Sequence, residues 1–80
     1  MKNYELIAIE ILEKVAGTDG LKDEKDLNLF DVGLLDSLAV ISIIITIEEK
    51  FGIRLQPTDF NREDISTVEN FIKFLEKHIS

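Results

Sequence analysis

Residues 30–52 read Phe-Asp-Val-Gly-Leu-Leu-Asp-Ser-Leu-Ala-Val-Ile-Ser-Ile-Ile-Ile-Thr-Ile-Glu-Glu-Lys-Phe-Gly. The stretch divides at Asp36. Downstream of it, Val40, Ile43, Ile44, Ile47 and Phe51 recur at intervals of three, four and one. A 3.6-residue period puts these side chains on one face, so the spacing predicts a helix from Ser37 to Phe51. Asp36 is a favoured N-cap, and its carboxylate suits the positive end of the helix dipole. Gly52 is a fitting C-terminal stop. Upstream, Phe30 to Leu35 shows no helical periodicity and ends at the cap.

The same periodicity extends outward on both sides. Tyr4, Ile7, Ala8, Ile11 and Val15 predict a first helix from about Asn3 to Ala16, with Asn3 as its cap and Gly17 at its end. Between it and Ser37 lies a long aperiodic loop, Thr18 to Leu35, for which Leu21, Leu27, Leu29 and Phe30 are the expected anchors. Loops of this length in small domains are usually functional. Beyond Gly52, Ile53-Arg54-Leu55 alternates like a strand but has no strand to pair with, so it reads as a loop running to Pro57. A short helix is expected near Asn61–Ile65. Val68, Phe71, Ile72, Leu75 and Ile79 predict a final helix from about Val68 to Ile79, with Ser66 and Glu69 as a reciprocal capping box. The expected fold is all-α: a small four-helix bundle with a long loop between the first and second helices, in a single domain over residues 1–80.

Composition narrows the function. A chain of 80 residues buries only a little over ~60% of its unfolded surface, and with no cysteine it has no disulfide to support it. The net charge of −7 argues against nucleic acid, which needs clustered Lys and Arg, and favours partners with basic surfaces. The longest apolar run is broken by Ser42 and Thr46 and ends at Glu48, so direct membrane insertion is not expected. Glu5, Glu10 and Glu13 do not fit a signal peptide, and with the absence of cysteine they point to the cytoplasm.

Ser37 is the residue on which function turns. One reading is structural: a helix-start serine is commonly a cap or a first-turn residue. The other is chemical. Asp36 already supplies the cap, a long loop delivers the serine, and helix N–H groups with their dipole favour a phosphate there. On α-helical spacing, Leu38, Ile41, Ile45 and Glu48 share a second face of the same helix, offset from the core stripe. They either extend the core or meet a partner.

Gly33-Leu34-Leu35-Asp36-Ser37-Leu38 resembles the Asp-Ser-Leu attachment motif of the acyl carrier protein family, and the order of helices and loop resembles that family over nearly the whole chain. The resemblance implies that a phosphopantetheinyl transferase moves 4′-phosphopantetheine from coenzyme A onto Ser37, with Asp36 as motif residue and cap. It also favours Leu38, Ile41, Ile45 and Glu48 as a partner face. Within the family, Leu27-Asn28-Leu29-Phe30, Phe51-Gly52-Ile53 and Pro57 to Arg62 are similar to the D-alanyl carrier proteins of teichoic acid D-alanylation, although Ile65 replaces an aromatic residue common in that group. That likeness implies a soluble monomeric carrier loaded with D-alanine as a thioester by an adenylating ligase and unloaded by a membrane-bound acyltransferase. The reactive thiol would belong to the cofactor and not to the protein, so no catalytic residue is expected.

Alternatives are a discrete acyl carrier of fatty acid, polyketide or other secondary metabolism, and a cofactor-free helical adaptor. An enzyme built on Ser37 and His78 lacks a Gly-x-Ser-x-Gly elbow around the serine and room for a pocket. His78 reads as a last-turn residue suited to the dipole. Asp23, Glu24 and Asp26 lack calcium-loop spacing and read as a solvated face. Arg54 and Arg62 read as partners of nearby acids, and for Arg62 contact with a partner enzyme is an equal alternative.

Overall fold

The computed structural model describes residues 4–56 and 60–79. Three α-helices dominate: α1 (Tyr4–Ala16), α2 (Ser37–Phe51) and α3 (Val68–Ile79). Among the described residues there are also two 3-10 turns, Leu21–Asp23 and Arg62–Ile65, and no strand. The fold is all-helical as expected, but α-helices number three among the described residues. The short element expected near Asn61–Ile65 is a single 3-10 turn. Asp64 N–H donates to the Asn61 carbonyl (2.9 Å) while Asp64 Oδ2 accepts from Asn61 N–H (2.9 Å). This reciprocal pair closes one tight turn, and two residues, Ser66 and Thr67, separate it from α3.

α1 packs against both α2 and α3. That double contact widens its buried face. Ala8, Ile9, Ile11 and Leu12 are buried, whereas Ile7 and Val15 of the expected stripe are only half-buried. The Asn3 cap lies outside the described residues. In α2, Ile43 and Ile47 are fully buried and Val40, Ile44 and Phe51 pack around them, with Ala39 added to the stripe. Gly52 adopts φ 67°, and its N–H donates to the Glu48 carbonyl, the left-handed stop that glycine enters without steric cost. In α3, Val68, Phe71 and Leu75 are buried as expected and Phe74 joins them, set edge-on to Phe60 with ring centroids 4.8 Å apart. The exposed His78 packs its ring against Phe74 at 4.4 Å.

The cap of α3 differs from expectation by one residue. The helix begins at Val68, so Thr67 is its N-cap, and Thr67 Oγ1 accepts from Asn70 N–H at 3.1 Å. Ser66 is instead buried one step earlier, where its Oγ donates to the Glu63 carbonyl (2.9 Å). Glu69 N–H donates to Lys25 O (3.1 Å) and so ties the long loop to α3.

That loop is anchored by Leu21, Leu29 and Leu35, all buried, with Leu27 and Phe30 half-buried. Its entry is held from α1: Glu13 Oε2 accepts from Leu21 N–H at 3.1 Å. Lys25 pairs with Glu5, and Lys50 with Glu10 at 3.6 Å. These are exposed pairs of the kind that contributes ~0–1 kcal/mol. Residues 53–56 are irregular, as expected, with Leu55 buried. Pro57, Thr58 and Asp59 of the reading above lie outside the described residues.

Candidate functional site

The site is the junction where the long loop becomes α2. Asp36 lies in extended backbone (φ −142°, ψ −171°), and its Oδ1 accepts from Ala39 N–H at 2.9 Å. One of the helix's orphan N–H groups is thereby satisfied without help from Ser37. Ser37 is the first residue of α2 and is exposed. Its hydroxyl therefore stands in solvent at the positive end of the helix dipole, where a phosphate-bearing substituent is favoured. These residues fit covalent attachment of a phosphodiester arm: the oxygen is accessible, and the local backbone field suits the charge.

The sequence upstream fixes the direction from which Ser37 is delivered. Asn28 Oδ1 accepts from both Phe30 N–H and Asp31 N–H, each at 3.0 Å. Asn28 O accepts from Val32 N–H (3.3 Å), and Phe30 O from Gly33 N–H (3.1 Å). The Leu29 carbonyl accepts from both Leu34 N–H (2.9 Å) and Leu35 N–H (3.2 Å). Gly33 takes φ 79° to let the chain double back, a region where any side chain would be strained. Besides burying Leu29 and Leu35 in the core, the resulting knot is tied by Leu29 N–H to Ser66 O, ahead of α3, at 2.7 Å. Asn28 and Ser66 were not singled out for this role. Asn28 could have been, because Asx side chains that capture the following N–H groups are a recurrent turn device.

The second expected face of α2 is partly realised. Leu38 is 73% exposed, Ile41 55% and Ile45 49%, and loop residue Val32, upstream of Ser37, is 50% exposed. These three helix positions do not extend the core. Glu48 behaves differently: it is half-buried, and its Oε2 accepts from Leu55 N–H at 2.9 Å, holding the chain that follows α2. It follows that the exposed surface is apolar, with no charged side chain from Ser37 to Ile47.

Loss of the cap has a defined expected cost. Asp36→Ala should lower unfolding free energy by about 1 kcal/mol, the usual cost of losing an N-cap, while Asp36→Asn should lose far less. Urea denaturation of the two variants checks this. Equal midpoints for Asp36→Ala and the parent chain would show that the Ala39 bond contributes nothing.

Comparison with known proteins bears on this geometry. A family profile described as "Phosphopantetheine attachment site" matches residues 8–75. The chain is 38% identical over 74 residues to the D-alanyl carrier protein of Enterococcus faecalis, covering 92% of this chain and 95% of that protein. It is 41% identical over 68 residues to the D-alanyl carrier protein of Listeria monocytogenes, covering 85% and 87% of the two chains. A D-alanyl carrier protein of Bacillus cereus is 35% identical over 77 residues, with 96% and 98% covered.

Proposed function

The chain belongs to the phosphopantetheine attachment-site family, and from that premise we propose that it is a D-alanyl carrier, modified on Ser37 and serving the D-alanylation of teichoic acid. The observation that carries the site assignment is the division of labour at the helix start: Asp36 caps α2 and Ser37 is left exposed beside it. When attached, phosphopantetheine supplies a thiol that holds an acyl or aminoacyl unit as a thioester. The protein itself presents, orients and is recognised, and members of this family are carriers, not catalysts.

Three enzymes act on such a carrier. A phosphopantetheinyl transferase modifies Ser37, an adenylating ligase loads D-alanine, and an acyltransferase held in the membrane accepts it. Leu38, Ile41 and Ile45 offer these partners an apolar docking face, while Glu48, further along α2, holds the following segment at Leu55. Because coenzyme A and ATP are cytoplasmic, the carrier acts in the cytoplasm, as a monomeric single domain spanning residues 1–80. No helix among the described residues is long and apolar enough to cross a membrane. In this reading the acyltransferase meets the carrier at the membrane surface by protein contact.

The cargo is tested by loading the phosphopantetheinylated protein with an adenylating D-alanine ligase and ATP, beside a parallel reaction with an acyl-ACP synthetase and fatty acid. D-alanine is expected to appear as a hydroxylamine-labile mass increment, and the fatty acid to load poorly. The opposite preference would move the assignment to a discrete acyl carrier of lipid or secondary metabolism.

A further inference from the structure

We propose that Arg62 is a positioning residue for modification of Ser37, acting through Phe30 as a clamp on the loop that delivers the serine. This rests on the assignment of Ser37 as the attachment site. The Arg62 guanidinium carbon lies 4.2 Å from the centroid of the Phe30 ring. That is well inside the range of a cation–π contact. Arg62 is exposed at the first position of the 3-10 turn Arg62–Ile65, and Phe30 is half-buried in the knot before α2.

The two ends of the clamp are both held. On one side, the reciprocal Asn61–Asp64 bonds shape the 3-10 turn, and Ser66 Oγ and Asn70 Nδ2 both donate to the Glu63 carbonyl (2.9 and 3.1 Å). On the other, Asn28 Oδ1 holds Phe30 N–H, and the carbonyl of neighbouring Leu29 takes the N–H groups of Leu34 and Leu35. Leu35 is followed by Asp36 and Ser37. The Leu29–Ser66 bond and the Arg62–Phe30 contact therefore both tie the segment that aims the serine to residues 62–66, ahead of α3. Leu29 and Leu35 are already held in the core, so the clamp adds to that anchoring at Phe30, which is only half-buried.

The aim matters because the transfer is an in-line displacement. A bond forms from the Ser37 oxygen to the phosphorus of phosphopantetheine. The bond from that phosphorus to the bridging oxygen of coenzyme A breaks, adenosine bisphosphate leaves with the oxygen, and the serine proton passes to the transferase. Misplacement of the nucleophile lowers the rate of such a step without removing any group that takes part in it.

The test is a double-mutant cycle on Arg62→Leu and Phe30→Leu, read as phosphopantetheine transfer kinetics and as amide exchange at Leu29, Leu34 and Leu35. Each single variant should lower kcat about threefold with KM for the carrier little changed, the size of an exposed cation–π contact. The double variant should be no worse than either single one, and Arg62→Lys should restore most of the rate. Exchange at the three amides should quicken in the same variants. Additive effects, or a rise in KM on Arg62→Leu that persists when Phe30 is already replaced, would show that Arg62 touches the transferase directly and overturn the clamp. Unchanged exchange would overturn it as well. Transfer to the parent chain separates this failure from a deeper one: without it, the Ser37 assignment itself is wrong.

Discussion

Ser37→Ala is expected to gain no phosphopantetheine when incubated with coenzyme A and a promiscuous transferase, where the parent chain gains one group, and to unfold within about 0.5 kcal/mol of the parent. The loss should be complete because the oxygen that accepts the group is removed. The stability should hold because alanine is well tolerated in a helix and the position is exposed. The cap does not depend on Ser37, since Ala39 N–H is bonded to Asp36 Oδ1. Ser42→Ala is the matched control, an exposed serine further along the same helix that should leave the mass gain intact. Intact-protein mass spectrometry reads both variants. A modified Ser37→Ala would place the attachment elsewhere, and a grossly unfolded one, seen by circular dichroism, would make Ser37 a structural residue. No mass gain on a folded parent chain would favour the cofactor-free adaptor.

The parts of the fold that were legible in the sequence are those ruled by short-range periodicity. The bounds of α2 and α3, the Asp36 cap and the Gly52 stop follow from side-chain spacing and local backbone preference, which a linear sequence displays. What was not legible depends on contacts between distant segments. Ile9 and Leu12 become core because α1 meets two helices, and one stripe cannot show that. Thr67, and not Ser66, caps α3 because Ser66 is drawn into the knot with Glu63 and Asn70, where its carbonyl also receives Leu29 N–H. Glu48 has the spacing of a surface residue, yet a backbone N–H seven positions on claims its carboxylate. Arg62 was read as the partner of an acid or of an enzyme, because charge is visible in sequence and the approach of an aromatic ring from a loop 32 residues earlier is not. The identity of Ser37 as the candidate came from motif and position together. Its exposure, and that of Ile41 and Ile45, needed the fold.

Ile45→Glu and Ile43→Glu are expected to part company completely, though the two residues are near neighbours in α2. At about 100° per residue, positions two apart point to nearly opposite sides of a helix. Ile43 is fully buried, whereas Ile45 is 49% exposed. A carboxylate forced into the core at Ile43 costs several kcal/mol, comparable to the total stability of a small domain, about 5 kcal/mol at the low end. Ile43→Glu should therefore fail to fold cooperatively. Ile45→Glu should keep its melting midpoint and lose at least about tenfold in ligase loading efficiency, the scale of a contact residue at the centre of an interface. Ile41→Glu should behave as Ile45→Glu does. A large fall in midpoint for Ile45→Glu would return that side chain to the core; unchanged loading would move the docking face off α2. The chemistry of this face adds a second reading. From Ser37 to Ile47 there is no charge to screen. Loading of the parent chain should therefore depend only weakly on salt, because burial of apolar area and not ion pairing drives the contact. A steep salt dependence that survives Ile45→Glu would instead place recognition on the acidic surface beyond the helix.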